Sequence, residues 1–212
     1  LVMGAGEIQP RKGLDIFVSV ASIIAKNNPD MNIHFAWIGA GYDPVNDFNV
    51  SLWIEDQIKR SGLEEAMTIL DNSSAYEELM KRANIFMITS RLDPLPNVGI
   101  DAIMNGTPVL SFKEACGIAN LFAENEDLNN TLVADYMDTV MMAKQAVNLI
   151  KNRKLEEKIK SLLRERSKAW FDMEKYITKL EGLGEVVERE DKELQADVEY
   201  IQTQEILNRS YM

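Results

Sequence analysis

The segment from Asn84 to Ser111 does most to limit what this chain can fold into. Asn84-Ile85-Phe86-Met87-Ile88-Thr89 is a short apolar run with β-branched residues, the pattern of a strand buried on both faces. Pro94 and Pro96 then forbid regular structure. Asn97 suits the N-cap of a helix starting at about Val98, and Gly106 suits its end. Thr107-Pro108-Val109-Leu110-Ser111 opens the next strand. Strand, loop, short helix and strand make the repeating unit of a parallel sheet. Its loop leaves the carboxyl end of a strand and presents backbone N–H groups at a helix start, where α/β folds place anionic ligands.

Two carboxylates sit in that unit, Asp93 in the loop and Asp101 one turn into the helix. Asp101 has an ordinary explanation, since the helix dipole favours negative charge there. Two carboxylates around free N–H groups also suit a ligand with hydroxyls and phosphates, such as a sugar nucleotide. A second pointer lies near the start. Gly4-Ala5-Gly6 leaves a strand at Leu1-Val2-Met3, and Phe17, Val20, Ala21 and Ile24 mark a helix from about Gly13 to Lys26. Arg11 and Lys12 fall where that helix begins, an unfavourable place for cations unless an anion binds there. Taken alone, they are also readable as a solvated basic pair.

Ser90 to Val109 resembles the donor-site segment of retaining glycosyltransferases of family 4, which have the GT-B fold. The family's mark is a pair of glutamates separated by seven residues, and here Asp93 and Asp101 stand at the two acidic places. Gly6 to Asp15 resembles the family's Gly-x-Ile/Leu-x-Pro-Arg-Lys-Gly-x-Asp segment, and the likeness runs from about Val2 to Leu180. The resemblance implies that Arg11 and Lys12 hold the donor diphosphate and Asp93 the sugar hydroxyls. It implies that Asp101 binds ribose hydroxyls, that Leu95, Pro96, Asn97 and Val98 contact sugar or phosphate, and that Asn72 and Ser73 lie near the base. The nucleotide-diphosphate sugar is then the substrate, with no metal or other cofactor expected. The alternative is a non-catalytic nucleotide-binding or interaction module of the same architecture.

The expected fold class is α/β, a Rossmann-like, mostly parallel sheet with helices on both faces, plus a helical tail. Residues 1–180 are expected to form the donor-binding domain and 181–212 the tail. The sequence opens directly on a strand, so an N-terminal acceptor domain is expected on a longer chain, and this piece alone should bind donor without appreciable transfer. Further expectations are helices at Ser51 to Ser61 (Leu52, Trp53 and Ile58 inward), Ala75 to Lys81 and Lys154 to Trp170. Strands are expected at Asn32 to Ile38, Ala66 to Leu70 and Thr131 to Ala134. A helix after Tyr136 should bury Met141, Ala143, Ala146, Val147 and Ile150. From Glu185 a long amphipathic helix should carry Leu180, Leu183, Val187, Leu194, Val198 and Ile201 along one seam, a possible route to self-association.

Composition excludes other classes. A formal charge of −11 over 212 residues disfavours a nucleic-acid partner. One histidine, His34, and one cysteine, Cys116, leave no material for a His/Cys metal site or a Ser–His triad within this chain. Both are expected to be packed side chains, and the single cysteine fits a reducing compartment. Gly39-Ala40-Gly41 after a strand is too short a match for a dinucleotide-binding fingerprint. No apolar run reaches membrane-spanning length. A cytoplasmic protein is expected, either free or held at the cytoplasmic face of a membrane through the absent domain.

Overall fold

The computed structural model describes residues 1–71 and 75–210, with side chains through Lys192 and at Gln195. The described residues form a six-stranded parallel sheet from β1 (Val2–Ala5), β2 (Phe35–Ile38), β3 (Met67–Leu70), β4 (Ile85–Ile88), β5 (Val109–Phe112) and β6 (Val133–Ala134). The strand order is β3-β2-β1-β4-β5-β6. The chain therefore builds outward from β1 in one direction, returns, and builds outward from β4 in the other. With right-handed crossovers, this reversal puts the strand-connecting helices of the two halves on opposite faces, while α7, after the last strand, returns to the face of α1.

The helices are α1 (Leu14–Asn27), α2 (Ser51–Ser61), α3 (Tyr76–Arg82), α4 (Asn97–Met104), α5 (Gly117–Phe122), α6 (Glu126–Leu132), α7 (Thr139–Lys151), α8 (Arg153–Trp170) and α9 (Met173–Ser210). On one face α1 packs against α2 and α7; α4 packs against α8, and α5 against α6. The core is built from strands buried on both faces. Val2, Met3, Phe35, Trp37, Phe86 and Phe112 are essentially inaccessible. Phe17 of α1 meets the rings of Phe35 and Trp37 edge-on, at centroid distances of 6.4 and 5.4 Å. Burying such rings supplies much of the apolar driving force. The indole N–H of Trp37 donates to the Gly6 carbonyl at 2.8 Å, which satisfies a buried donor and ties the loop after β1 to β2.

Several details differ from the sequence reading. In α2, Ile54 and Ile58 face inward, while Trp53 is 65% exposed. The stripe of α7 runs through Met142, Ala143, Ala146 and Leu149 in place of Met141, Val147 and Ile150. Both shifts are about one position of helix phase, enough to exchange a wall residue for a rim residue. His34 precedes β2 and is exposed, its Nε2 2.9 Å from Thr68 Oγ1. Helix α4 starts at Asn97, with extended Pro96 as N-cap and no side-chain cap, so Asn97 does not cap it.

The compact α/β unit ends at Trp170, and residues 171–212 form a second unit. Its helix α9 starts at Met173, ahead of the expected Glu185. Met173, Tyr176, Leu180, Leu183 and Val187 are exposed along it at three- and four-residue steps. The seam positions Leu194, Val198 and Ile201 lie beyond the described side chains. Among the described residues no helix is long and apolar enough to cross a membrane.

Candidate functional site

The strand order reverses between β1 and β4, the switch point where open α/β sheets bind ligands in the crevice outside the carboxyl ends of the strands. Ala5, Gly6, Glu7, Ile38, Gly39, Tyr76 and Val98 line a cavity of about 400 Å³ there. A groove of about 370 Å³ between α1 and α7 is comparable in size, but none of the expected site residues lines it. Glycine is required at the crevice floor. A Cβ on Gly39 would lie 1.9 Å from the Gly6 carbonyl oxygen, so only a bare backbone lets the loop after β1 rest on β2.

That loop carries the cations in a 3-10 turn, Pro10–Lys12. Gly13 then adopts φ 73° to enter α1, and a Cβ there would meet the Thr89 carbonyl oxygen at 2.0 Å. Thr89 Oγ1 donates to the Gly13 carbonyl at 2.8 Å, so the loops after β1 and β4 are in direct contact. Their side chains complete the junction. Lys12 Nζ donates to Asp93 Oδ2 at 2.6 Å, and Arg11 Nη1 stands 3.7 Å from the same oxygen. Arg11 Nη1 also donates to the Leu92 carbonyl at 3.1 Å. Asp93 itself is buried, and its N–H donates to the Ala115 carbonyl at 2.8 Å. Arg11, Lys12 and Asp93, three of the expected site residues, thus meet at one point.

The junction has a brace that the sequence reading missed. Arg91 donates both guanidinium arms to Asp15, at 2.9 and 2.6 Å, and also donates to the Pro10 carbonyl. The bond to Asp15 holds the Arg91 guanidinium above its already high ordinary pKa. Each residue stands in the segments singled out from sequence, but nothing in either segment says that they pair. The backbone of Asp93 itself pairs with that of Cys116, and a Cβ on Gly117 would lie 1.9 Å from the Pro94 carbonyl oxygen. Cys116 is buried, and burial pushes its thiol up to about 11, which suits a packing residue.

Leu95 is nearly half-exposed and Pro96 is buried. Pro96 has no N–H to offer; its carbonyl accepts from Gly99 at 2.9 Å and Ile100 at 3.3 Å. The donors available to an anion at the start of α4 are therefore those of Asn97 and Val98, and Val98 lines the crevice. Asp101 is exposed one turn further on, and its Oδ2 accepts from the Tyr76 hydroxyl at 3.2 Å. Tyr76 is a second residue missed from sequence: its aromatic side chain gives no sign of a long-range partner. Asn72 and Ser73, expected near a base, lie outside the described residues.

The family Glycosyl transferases group 1 matches residues 1–166. An uncharacterized glycosyltransferase of Haemophilus influenzae is 23% identical over 86% of this chain and 48% of its own length. A D-inositol 3-phosphate glycosyltransferase of Paenarthrobacter aurescens is 30% identical over 52% of this chain and 26% of its own. The chain thus spans at most about half the length of these curated relatives. Among solved structures, S. aureus TarM superposes with a TM-score of 0.71 at 19% identity, covering 84% of this chain and 34% of that one. Anabaena Alr3699/HepE, in complex with UDP and glucose, gives 0.67 at 19% identity, covering 79% and 43%. At such identity these two likenesses establish the fold, while the family match spans most of the α/β unit with both loops of the crevice. The chain belongs to the Glycosyl transferases group 1 family.

Proposed function

We propose that this chain is the donor-binding domain of a retaining glycosyltransferase of family 4 that uses a nucleotide-diphosphate sugar, with a uridine nucleotide the first to test. One observation carries the reading: Arg11 and Lys12 converge on Asp93 where the loops after β1 and β4 meet, next to Gly6 of the crevice wall and just before α4. Structural neighbours solved with UDP or UDP-glucose support the choice of base. In this reading the diphosphate takes Lys12 and Arg11 from Asp93 and accepts from the N–H groups of Asn97 and Val98. Asp93 is then free to accept from sugar hydroxyls, and Asp101 binds the ribose.

The cations favour the departing diphosphate most as its negative charge grows, which lowers the barrier to breaking the sugar–phosphate bond. No metal is assigned to the step. The acceptor site belongs to the rest of a longer chain, so the isolated domain binds donor with little transfer. Association of copies through the seam of α9 belongs to the same reading, and sedimentation with and without residues 171–212 measures it.

Calorimetric titration with UDP, GDP and ADP, beside an Arg11→Ala/Lys12→Ala double variant, tests the site. The expected result is binding of one nucleotide, weakened at least tenfold in the variant. Equal binding by the variant places any nucleotide elsewhere and ends the proposal. A second reading, a nucleotide-binding module without transfer, has one observation in its favour: Asp93 is already engaged by cations. Sugar transfer by the full-length protein, lost on Asp93→Ala, decides against that module.

A further inference from the structure

Tyr76 is the first residue of α3, and its side chain walls the crevice together with Gly6, Gly39 and Val98. Its hydroxyl donates to Asp101 Oδ2 at 3.2 Å, joining the start of α3 to α4. Val98 and Asp101 are three residues apart in α4 and so occupy one side of that helix. Asp101 therefore stands at the margin of the crevice that Val98 lines. Burial, followed by the charge and hydrogen bond of Asp101, raises the Tyr76 phenol above its ordinary value, so it remains a donor at neutral pH.

An exposed aspartate is free to turn about both side-chain torsions, and each orientation offers a different pair of acceptor sites. A single phenolic donor on Oδ2 removes much of that freedom. It also leaves Oδ1 and one lone pair of Oδ2 open, since a carboxylate can accept about four hydrogen bonds. Two adjacent acceptors on one oriented group match the two adjacent hydroxyls of a ribose. A 2′-deoxyribose offers only one of them, leaving part of the carboxylate unpaired as the ligand closes over it.

We infer that Tyr76 is a positioning residue that sets Asp101 to accept a vicinal diol, so that the site selects ribonucleoside over 2′-deoxyribonucleoside diphosphates. This inference rests on the donor-site reading above.

The test measures the affinities of the full chain for UDP, GDP and ADP and for their 2′-deoxy counterparts, in the wild type, Tyr76→Phe and Asp101→Ala. The wild type should favour the ribo form of the nucleotide it binds by about tenfold or more, the worth of a hydrogen bond to a charged group. Tyr76→Phe keeps the ring wall and should shrink that ratio to about threefold or less; Asp101→Ala should abolish it. A wild type that binds both forms equally overturns the inference. So does a Tyr76→Phe variant that weakens both forms by the same factor, because a purely structural role would leave the ratio intact. Failure of the wild type to bind any of the six removes the donor-site reading itself, and the inference with it. Circular dichroism of each variant confirms that the ratios compare folded proteins.

Discussion

Lys12 and Asp93 meet at 2.6 Å where the loops after β1 and β4 join, and the carboxylate is the more buried partner. Removing the lysine leaves that carboxylate with Arg11 at 3.7 Å and a weak contact from Ser90. Lys12→Ala should therefore cost about 1–3 kcal/mol of stability, read from denaturant midpoints, as well as weakening nucleotide binding. Asp93→Asn works in the opposite direction on binding. It releases both cations from an internal competitor, so UDP should bind several-fold more tightly even as transfer by the full-length protein falls. Cys116 gives a pH prediction. Its thiol titrates near 11 in the folded chain, above its ordinary value of 9.0, so the folded state prefers the neutral form. That contribution is fully present below about pH 9 and is lost as pH rises through 11, on the order of 2–3 kcal/mol in all. Cys116→Ala should lose less stability over that interval than the wild type, as urea melts at stepped pH would show. At this scale Arg11, Lys12, Asp93 and Asp101 were legible because each is a charge at an element boundary, where local rules assign it a meaning. Tyr76 and the Arg91–Asp15 brace were not, because pairing across 25 and 76 positions depends on how the strands are ordered.

Elements were legible where apolar runs and punctuation agree. Ser51 to Ser61 was read to the residue because Gly62 ends it in the left-handed conformation, at φ 69°. The strands are shorter than the apolar runs that announced them, since a ladder ends where its neighbour's register ends. Which side of α2 faces the sheet was misread at Trp53: large apolar size suggested burial, but helix phase gives the inward position to Ile54. The glycines that bind one loop to another offer a controlled comparison. Gly13 and Gly62 share a positive φ, but a Cβ on Gly13 meets the Thr89 carbonyl oxygen while one on Gly62 meets nothing within 4 Å. Gly62→Ala should thus cost only the left-handed strain, about 1 kcal/mol, or roughly 2–4 °C in Tm. Gly13→Ala should cost at least about twice that and weaken UDP binding too, because Lys12 moves with the displaced turn. Equal melting shifts in the two variants would mean that loop contact contributes nothing.

At the scale of the molecule, the core, the sheet and the crevice all belong to residues 1–170, with the family match inside them. A chain ending at Trp170 should therefore unfold in one transition and bind UDP within about twofold of the full 212 residues, by calorimetry. A mostly parallel sheet with helices on both faces was legible from alternation, whereas the strand order was not; the side chains of α9 past Gln195 lie outside what the structure describes. The Lys12–Asp93 contact also changes what kind of event nucleotide binding is. In the proposed donor site a diphosphate would take part in a metathesis: one anion would replace another on the same two cations, and the displaced one would stay tethered to the protein. The chain as a whole carries a formal charge of −11, and a net-negative molecule slows the approach of an anion over about a Debye length. Added salt should then hasten arrival by screening the repulsion and shorten residence by loosening the grip of the cations. The equilibrium constant would move little while both rates rose, a signature that stopped-flow measurements at stepped ionic strength can read directly.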